Sequence, residues 1–126
     1  MKLLESALER QIADYLALDS WICRHFEQNF SERKIKTVGE PGMPDLLCLR
    51  YHSIDHWANC LWIECKTADG RYSMDQRAWR TRERRWGATV LHMGIDFEAS
   101  LGGFASWYEK SGLQRRQVRL QNRRTA

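Results

Sequence analysis

Proline occurs at only two of 126 positions, Pro41 and Pro44, and no stretch reads as a Ser/Gly-rich linker. That excludes a string of modules and suits one domain folded around one core. Long apolar runs are missing as well. None approaches the roughly 20 residues of a membrane span, and the opening MKLLESALER has no signal-peptide core. The expectation is a soluble, cytoplasmic protein with no membrane partner. Cysteine is sparse: Cys23, Cys48, Cys60 and Cys65 form no C-x-x-C pair. Cys48 and Cys65 sit in apolar, strand-like runs, so buried free thiols are expected. His52, His56 and Cys60 have the spacing H-x3-H-x3-C, but a fourth ligand at a known spacing is missing, which argues against zinc.

What is present is a well-stocked interior and an uneven charge. The chain is 43% hydrophobic, with six Trp, four Tyr and four Phe. The net charge of +4 hides two basic segments. Residues 77–86, RAWRTRERRW, hold five arginines and one glutamate, and residues 113–126, LQRRQVRLQNRRTA, hold five arginines and no acid. The rest of the chain is therefore net acidic. Basic charge gathered in two places suggests a polyanionic partner, with nucleic acid the first candidate. The plainer alternative is a solvated helix face followed by a disordered tail.

Residues 3–18 read as an amphipathic helix, with Leu4, Leu8, Ile12, Tyr15 and Leu16 on one arc. Glu5 falls inside that arc and Glu9 just past its edge. Residues 21–30 read as a second helix or an irregular connection, and Lys34–Val38 as a short strand. VGEPGMPD is dense in turn signals. Residues 46–51 and 60–66 are short apolar runs bounded by turns, hence strands of a central sheet, with 52–59 connecting them. A helix is expected from an N-cap at Ser73 to Gly87. Its apolar side carries Ala78, Trp79 and Trp86, and Gln76, Arg80 and Arg84 form a stripe on another side. Residues 89–94 make a strand that completes a β-α-β unit, and 97–110 a closing helix weakened by Gly102 and Gly103. The order is helix, three strands, helix, strand, helix: an α/β sandwich around a mixed sheet.

Within the strand LWIECK, Glu64 and Lys66 interrupt Leu61, Trp62, Ile63 and Cys65. Residues i and i+2 of a strand share a face, so the two charges project together. Asp45 opens the preceding strand, and if the strands are neighbours it comes close to Glu64. Two carboxylates and an ammonium at a sheet edge suit phosphodiester hydrolysis: the carboxylates bind Mg²⁺ or Mn²⁺, and the lysine serves the attacking water and the charge of the transition state. An E-x-K tripeptide alone is weak. Glu32-Arg33-Lys34 is a second copy in a polar stretch, and a surface ion pair on an edge strand is the bland explanation.

Gly42-Met43-Pro44-Asp45, then Glu64-Cys65-Lys66, then Gln76 opening a helix resembles the PD-(D/E)XK nuclease superfamily, and within it the virus-type replication-repair nuclease domain, VRR-NUC. The first helix, Glu5-Ser-Ala-Leu8-Glu9-Arg-Gln-Ile12, is similar to the family's pattern too, and the resemblance spans roughly residues 3–95. It implies a restriction-endonuclease-like fold, a need for Mg²⁺ or Mn²⁺, and cleavage of DNA that is often branched or flapped. Small stand-alone members are often phage-encoded. By the resemblance Asp45 and Glu64 bind metal, Lys66 serves the water and transition state, Gln76 supports the site or a phosphate, and Glu5 is the helical acid, with Glu9 the competing choice. Cys65 holds the variable position of E-x-K, and Thr67 stands where small residues are common. The alternatives are a non-catalytic DNA-binding domain of the same fold and a sequence-specific restriction-type nuclease.

The nuclease-like domain is expected over 1–112 and a basic tail over 113–126. Arg80 and Arg84 are expected on phosphates near the site, and Arg115 and Arg116, with the tail arginines after them, to add nonspecific affinity. Cutting two strands of a junction calls for two sites, so a homodimer is possible, with Trp21, Trp57, Trp107 and Tyr108 as candidate interface aromatics.

Overall fold

The structure is a computed structural model that describes residues 2–26, 40–67 and 70–115. Helix α1 (Lys2–Ala17) is followed by strands β1 (Ile22–His25), β2 (Leu46–His52) and β3 (Trp57–Glu64), helix α2 (Met74–Arg85), strand β4 (Val90–His92) and helix α3 (Leu101–Lys110). The sheet order is β1-β2-β3-β4, with β1–β2 and β2–β3 antiparallel and β3–β4 parallel. The α/β fold around a mixed sheet is the expected one, with Ile22–His25 as the first of the three strands.

The alternation of β2 and β3 decides the layers. Leu46 and Cys48 on β2 and Leu61 and Ile63 on β3 are buried together with Ile12 and Leu16 of α1 and Phe104 and Tyr108 of α3. Cys65, one residue past β3, continues that face. On the other face Trp62 meets Trp79 of α2 edge-on, with ring centroids 5.2 Å apart. Helices α1 and α3 thus cover one side and α2 the other. A buried polar knot ties the first side together. Arg50 Nη1 donates to Asp19 Oδ2 at 2.9 Å, Trp21 Nε1 donates to the Tyr108 hydroxyl at 2.8 Å, and that hydroxyl in turn bonds Asp19.

Several expectations are corrected. Residues 22–25 form a strand rather than a helix or irregular connection. Strand β1 is an edge strand whose side chains are mostly exposed, so no alternation marks it in the sequence. The register sets Cys23 opposite Cys48 at a Cα separation of 4.1 Å, and the two form a disulfide; only Cys60 and Cys65 are free thiols. Of residues 52–59, only 53–56 form the turn; His52 ends β2 and Trp57 opens β3. The last helix begins at Leu101, not 97, because Phe97 bridges to Met93 and the Ser100 side chain caps the Gly103 N–H at 2.9 Å. Trp21 and Tyr108 are buried in the core and so offer no interface, whereas Trp57 is exposed. The short strand expected at Lys34–Val38 lies outside the described residues. Among the described residues no helix is long and apolar enough to cross a membrane.

Helix α2 starts at the expected cap: the Ser73 hydroxyl accepts from the Gln76 N–H at 3.1 Å, and the Gln76 side-chain oxygen accepts from the Ser73 N–H at 2.9 Å. Gly42 lies directly against this helix start. Its φ is +87°, and an added Cβ would fall 2.1 Å from the Asp75 carbonyl oxygen. Gly42→Ala is therefore expected to cost about 3–5 kcal/mol, strain and overlap together. Gly87, φ +95° with nothing within 4 Å of its Cβ position, is the control. Gly87→Ala should cost only about 1–2 kcal/mol, the left-handed penalty alone. Thermal unfolding of both variants measures the difference, and equal losses would show that the contact with α2 contributes nothing.

Candidate active site

The ladder between β2 and β3 ends with Leu46 opposite Ile63, so Asp45 and Glu64 follow as the next facing pair. The Asp45 N–H donates to the Glu64 carboxylate, which fixes the two acids side by side. The loop from Gly42 through Pro44 delivers Asp45, and Gly42 packing on α2 holds that loop in place. Lys66 stands two residues beyond Glu64 on the same side. Its ammonium lies 5.7 Å from the centre of the Tyr72 ring, and its charge is felt by both carboxyl groups. The three residues expected to act together are brought together at one end of the sheet.

The electrostatics of this end are those of crowded acids. Glu64 is only 5% exposed, and burial, then the charge of Asp45, push its pKa up to about 8, with Lys66 opposing. Asp45 is raised as well, by burial first and by Glu5, while His25 and Lys66 pull the other way. Both helical acids approach. Glu9 is raised by burial and by Asp45 and Glu5, and it also acts on Glu64. Glu5 acts on Asp45 and on Glu9. Both helical acids therefore act on the pair, the competing choice Glu9 on Glu64 and Glu5 on Asp45.

His25 was not expected. It ends β1 opposite Leu46, and its Nδ1 pairs with Glu9 Oε2 at 2.9 Å. No motif marks it, because β1 itself has no legible period. On the other flank His92 pairs with Glu64 across β3–β4 and is 0% exposed, its ring stacked on Tyr72 at 4.2 Å. Among the described residues neither ring nitrogen has a hydrogen-bond partner, and burial, then Arg80, push the His92 pKa down to about 4, which favours the neutral ring. The Tyr72 hydroxyl donates to the Met93 carbonyl at 2.5 Å. Tyr72 and His92 together form an uncharged wall beside Lys66 and Glu64.

A solved structure described as a VRR_NUC domain is similar to this chain, with a TM-score of 0.60 at 17% identity, over 86% of this chain and 97% of that one. The chain has the VRR_NUC fold. In sequence it matches no family model and no curated protein.

On the VRR_NUC fold the remaining expected residues take different places. The Gln76 side-chain oxygen closes the capping box, so Gln76 secures the start of α2 beside the Gly42 loop. Arg80 and Arg84 both reach Asp96, Arg80 Nη2 at 2.6 Å and Arg84 Nη1 at 3.0 Å, and these bonds hold Asp96 below its ordinary pKa in spite of burial. Arg115 is drawn inward: its N–H donates to Asp19 Oδ2 at 3.0 Å, and its Nη1 lies 3.0 Å from His52 Nδ1. Arg116 and the arginines after it lie outside the described residues. Among the described residues, no group of three or more His, Cys, Asp or Glu side chains is placed to hold a metal ion, the H-x3-H-x3-C set and the acids around Asp45 and Glu64 included. His52 instead stacks on Trp57 with ring centroids 3.9 Å apart.

Proposed function

We propose that this chain is a Mg²⁺- or Mn²⁺-dependent deoxyribonuclease, an endonuclease that hydrolyses phosphodiester bonds of branched, junction or flapped DNA. The observation that carries this reading is the buried Asp45–Glu64 pair with Lys66 on the same side, at the end of a sheet where Glu9 also arrives. The likeness of the fold to a VRR_NUC domain supports it.

The donor set fits such an ion. Two adjacent carboxylates cannot both ionise cheaply in this setting, and the raised pKa of Glu64 records that cost. A divalent cation between them removes it. Mg²⁺ is commonly held by one or two carboxylates, substrate phosphate oxygens and water rather than by an all-protein cage. Asp45 and Glu64 would hold the ion, with Glu9 or Glu5 as the nearby third acid. When bound, it would polarise a phosphoryl oxygen and make a water a better nucleophile.

The side chains do the rest. Lys66 presents a fixed positive charge where oxygens gain negative charge in the transition state. His92 and Tyr72 line its flank with uncharged rings. His25 holds the Glu9 carboxylate in place. Gln76 fixes the α2 start, and through Gly42 the loop that carries Asp45. Arg80 and Arg84, partly committed to Asp96, and the arginines from 115 onward would add phosphate contacts.

A cleavage panel of four-way junction, flap, single-stranded and linear duplex DNA, with Mg²⁺, Mn²⁺ or EDTA, tests the reading. The expected result is metal-dependent cutting, faster on branched or flapped DNA than on linear duplex. Binding with no cutting of any substrate would leave a non-catalytic DNA-binding domain. Light scattering at micromolar concentration, with and without a junction, tests the homodimer that two-strand cutting implies.

A further inference from the structure

Helix α2 carries five arginines, and they are not equivalent. Arg80 and Arg84 are paired with Asp96, and Arg82 with Glu40 and Glu83. Arg77 and Arg85 make no ion pair among the described residues. Both line a groove of about 430 Å³ on the solvent side of α2, together with Ala78, Thr81, Arg82 and Trp86. Trp86 was expected on the apolar side of the helix. It is instead 82% exposed, while Trp79, two turns earlier, is buried against Trp62. The helix runs past the part of the sheet it covers, and the second indole is left in water.

An indole standing free beside two uncommitted guanidinium groups is a platform with its own counter-charges. We infer that this groove binds a single-stranded segment of nucleic acid, with phosphates on Arg77 and Arg85 and a base stacked on Trp86. A duplex also offers phosphates, but its base faces are already stacked on each other. Only an unpaired strand gives the indole a partner, and every base has a face to give. The placement deepens the nuclease reading and rests on it for its purpose. Arg77 adjoins Gln76 at the active-site end of α2, and the nine steps from Arg77 to the C-cap Trp86 carry the groove about 13 Å. At the spacing of stacked nucleotides, about 3.4 Å per step, roughly four nucleotides separate the two ends. A flap or frayed arm leaving the cut site is the strand that would lie there.

Binding measured by fluorescence anisotropy in EDTA, where no cleavage occurs, separates this inference from the nuclease reading. The probes are a labelled 15-nucleotide oligothymidine, a 15-residue abasic strand of the same charge, and a 15-base-pair duplex. Trp86→Ala should weaken oligothymidine binding about tenfold or more, the size of losing one base–aromatic stack. Trp86→Phe should stay within about threefold of the parent chain, because it keeps a ring. The abasic strand and the duplex should not distinguish Trp86→Ala from the parent chain. Arg77→Ala with Arg85→Ala should weaken oligothymidine and the abasic strand alike. Unchanged oligothymidine binding by Trp86→Ala, or equal losses on all three probes, would overturn the inference. So would a dimer turned monomeric by Trp86→Ala with oligothymidine binding intact, since the groove would then seat a second copy of the chain. Failure of the cleavage panel with these binding results in place would remove the nuclease reading and leave the groove.

Discussion

Glu64→Gln should lower the cleavage rate on the order of 10³-fold or more, leave DNA binding in EDTA within a few-fold, and make the ion-free protein more stable at pH 8. On the proposed reading, the loss follows from removing one of the two carboxylates that would hold the ion. The gain follows from the same carboxylate. Its pKa is about 8 in the folded chain against an ordinary 4.5, through burial first and Asp45 second. Between those values the folded chain holds a proton that the unfolded chain releases, so stability falls as pH rises from about 4.5 to about 8 and stays low above. A tenfold change in proton affinity is worth about 1.4 kcal/mol, which makes the full effect a few kcal/mol. Glutamine does not titrate, so the variant's stability should fall less across that window, keeping only the smaller slope owed to the raised Asp45 and Glu9. Thermal unfolding in EDTA at pH 5 and pH 8 measures this directly. Adding Mn²⁺ at pH 8 should raise the melting temperature of the parent chain and not of the variant. Cleavage by Glu64→Gln at the parent rate would end the nuclease reading at this site.

What the sequence made legible, and what it hid, follows the range of the forces involved. Glu64, Lys66 and Asp45 were readable because a charge in an apolar strand is costly and strand geometry fixes which charges share a face. The start of α2 was readable because the Ser73 cap acts within four residues, from Ser73 to Gln76. Strand β1 was not: an exposed edge strand shows no alternation, and only pairing with β2, more than twenty residues away, defines it. The Cys23–Cys48 disulfide and the His25–Glu9 pair were hidden with it. The helical wheel placed Glu5 inside the apolar arc, but a wheel has no information on where α1 crosses the sheet end. That crossing brings Glu9 to the pair as well as Glu5. Likewise the wheel put Trp86 with Trp79, since it ignores where the covered sheet stops. Arg80 and Arg84 read as free charge because their partner, Asp96, lies beyond the next strand.

Lys66→Ala should cost on the order of 10²–10³ in rate, the size expected for one charge-stabilising group in a preorganised site. Lys34→Ala, in the other E-x-K copy, should change the rate little, because that copy sits in the polar stretch SERKIK, where a charged pair needs no special reason. Two effects of the lysine can be separated. Its charge opposes the raised pKa of both Asp45 and Glu64, so removing it makes both acids harder to ionise and weakens their hold on a cation. That part of the loss is recovered at high Mn²⁺ and at higher pH. The part owed to stabilising oxygens in the transition state is not. The expected outcome is a variant that needs more Mn²⁺ and still turns over at least about 100-fold slower when saturated with it. Full recovery at saturating Mn²⁺ would reduce Lys66 to a residue that tunes its two acidic neighbours. Equal losses from Lys66→Ala and Lys34→Ala would mean that general attraction for DNA had been mistaken for chemistry.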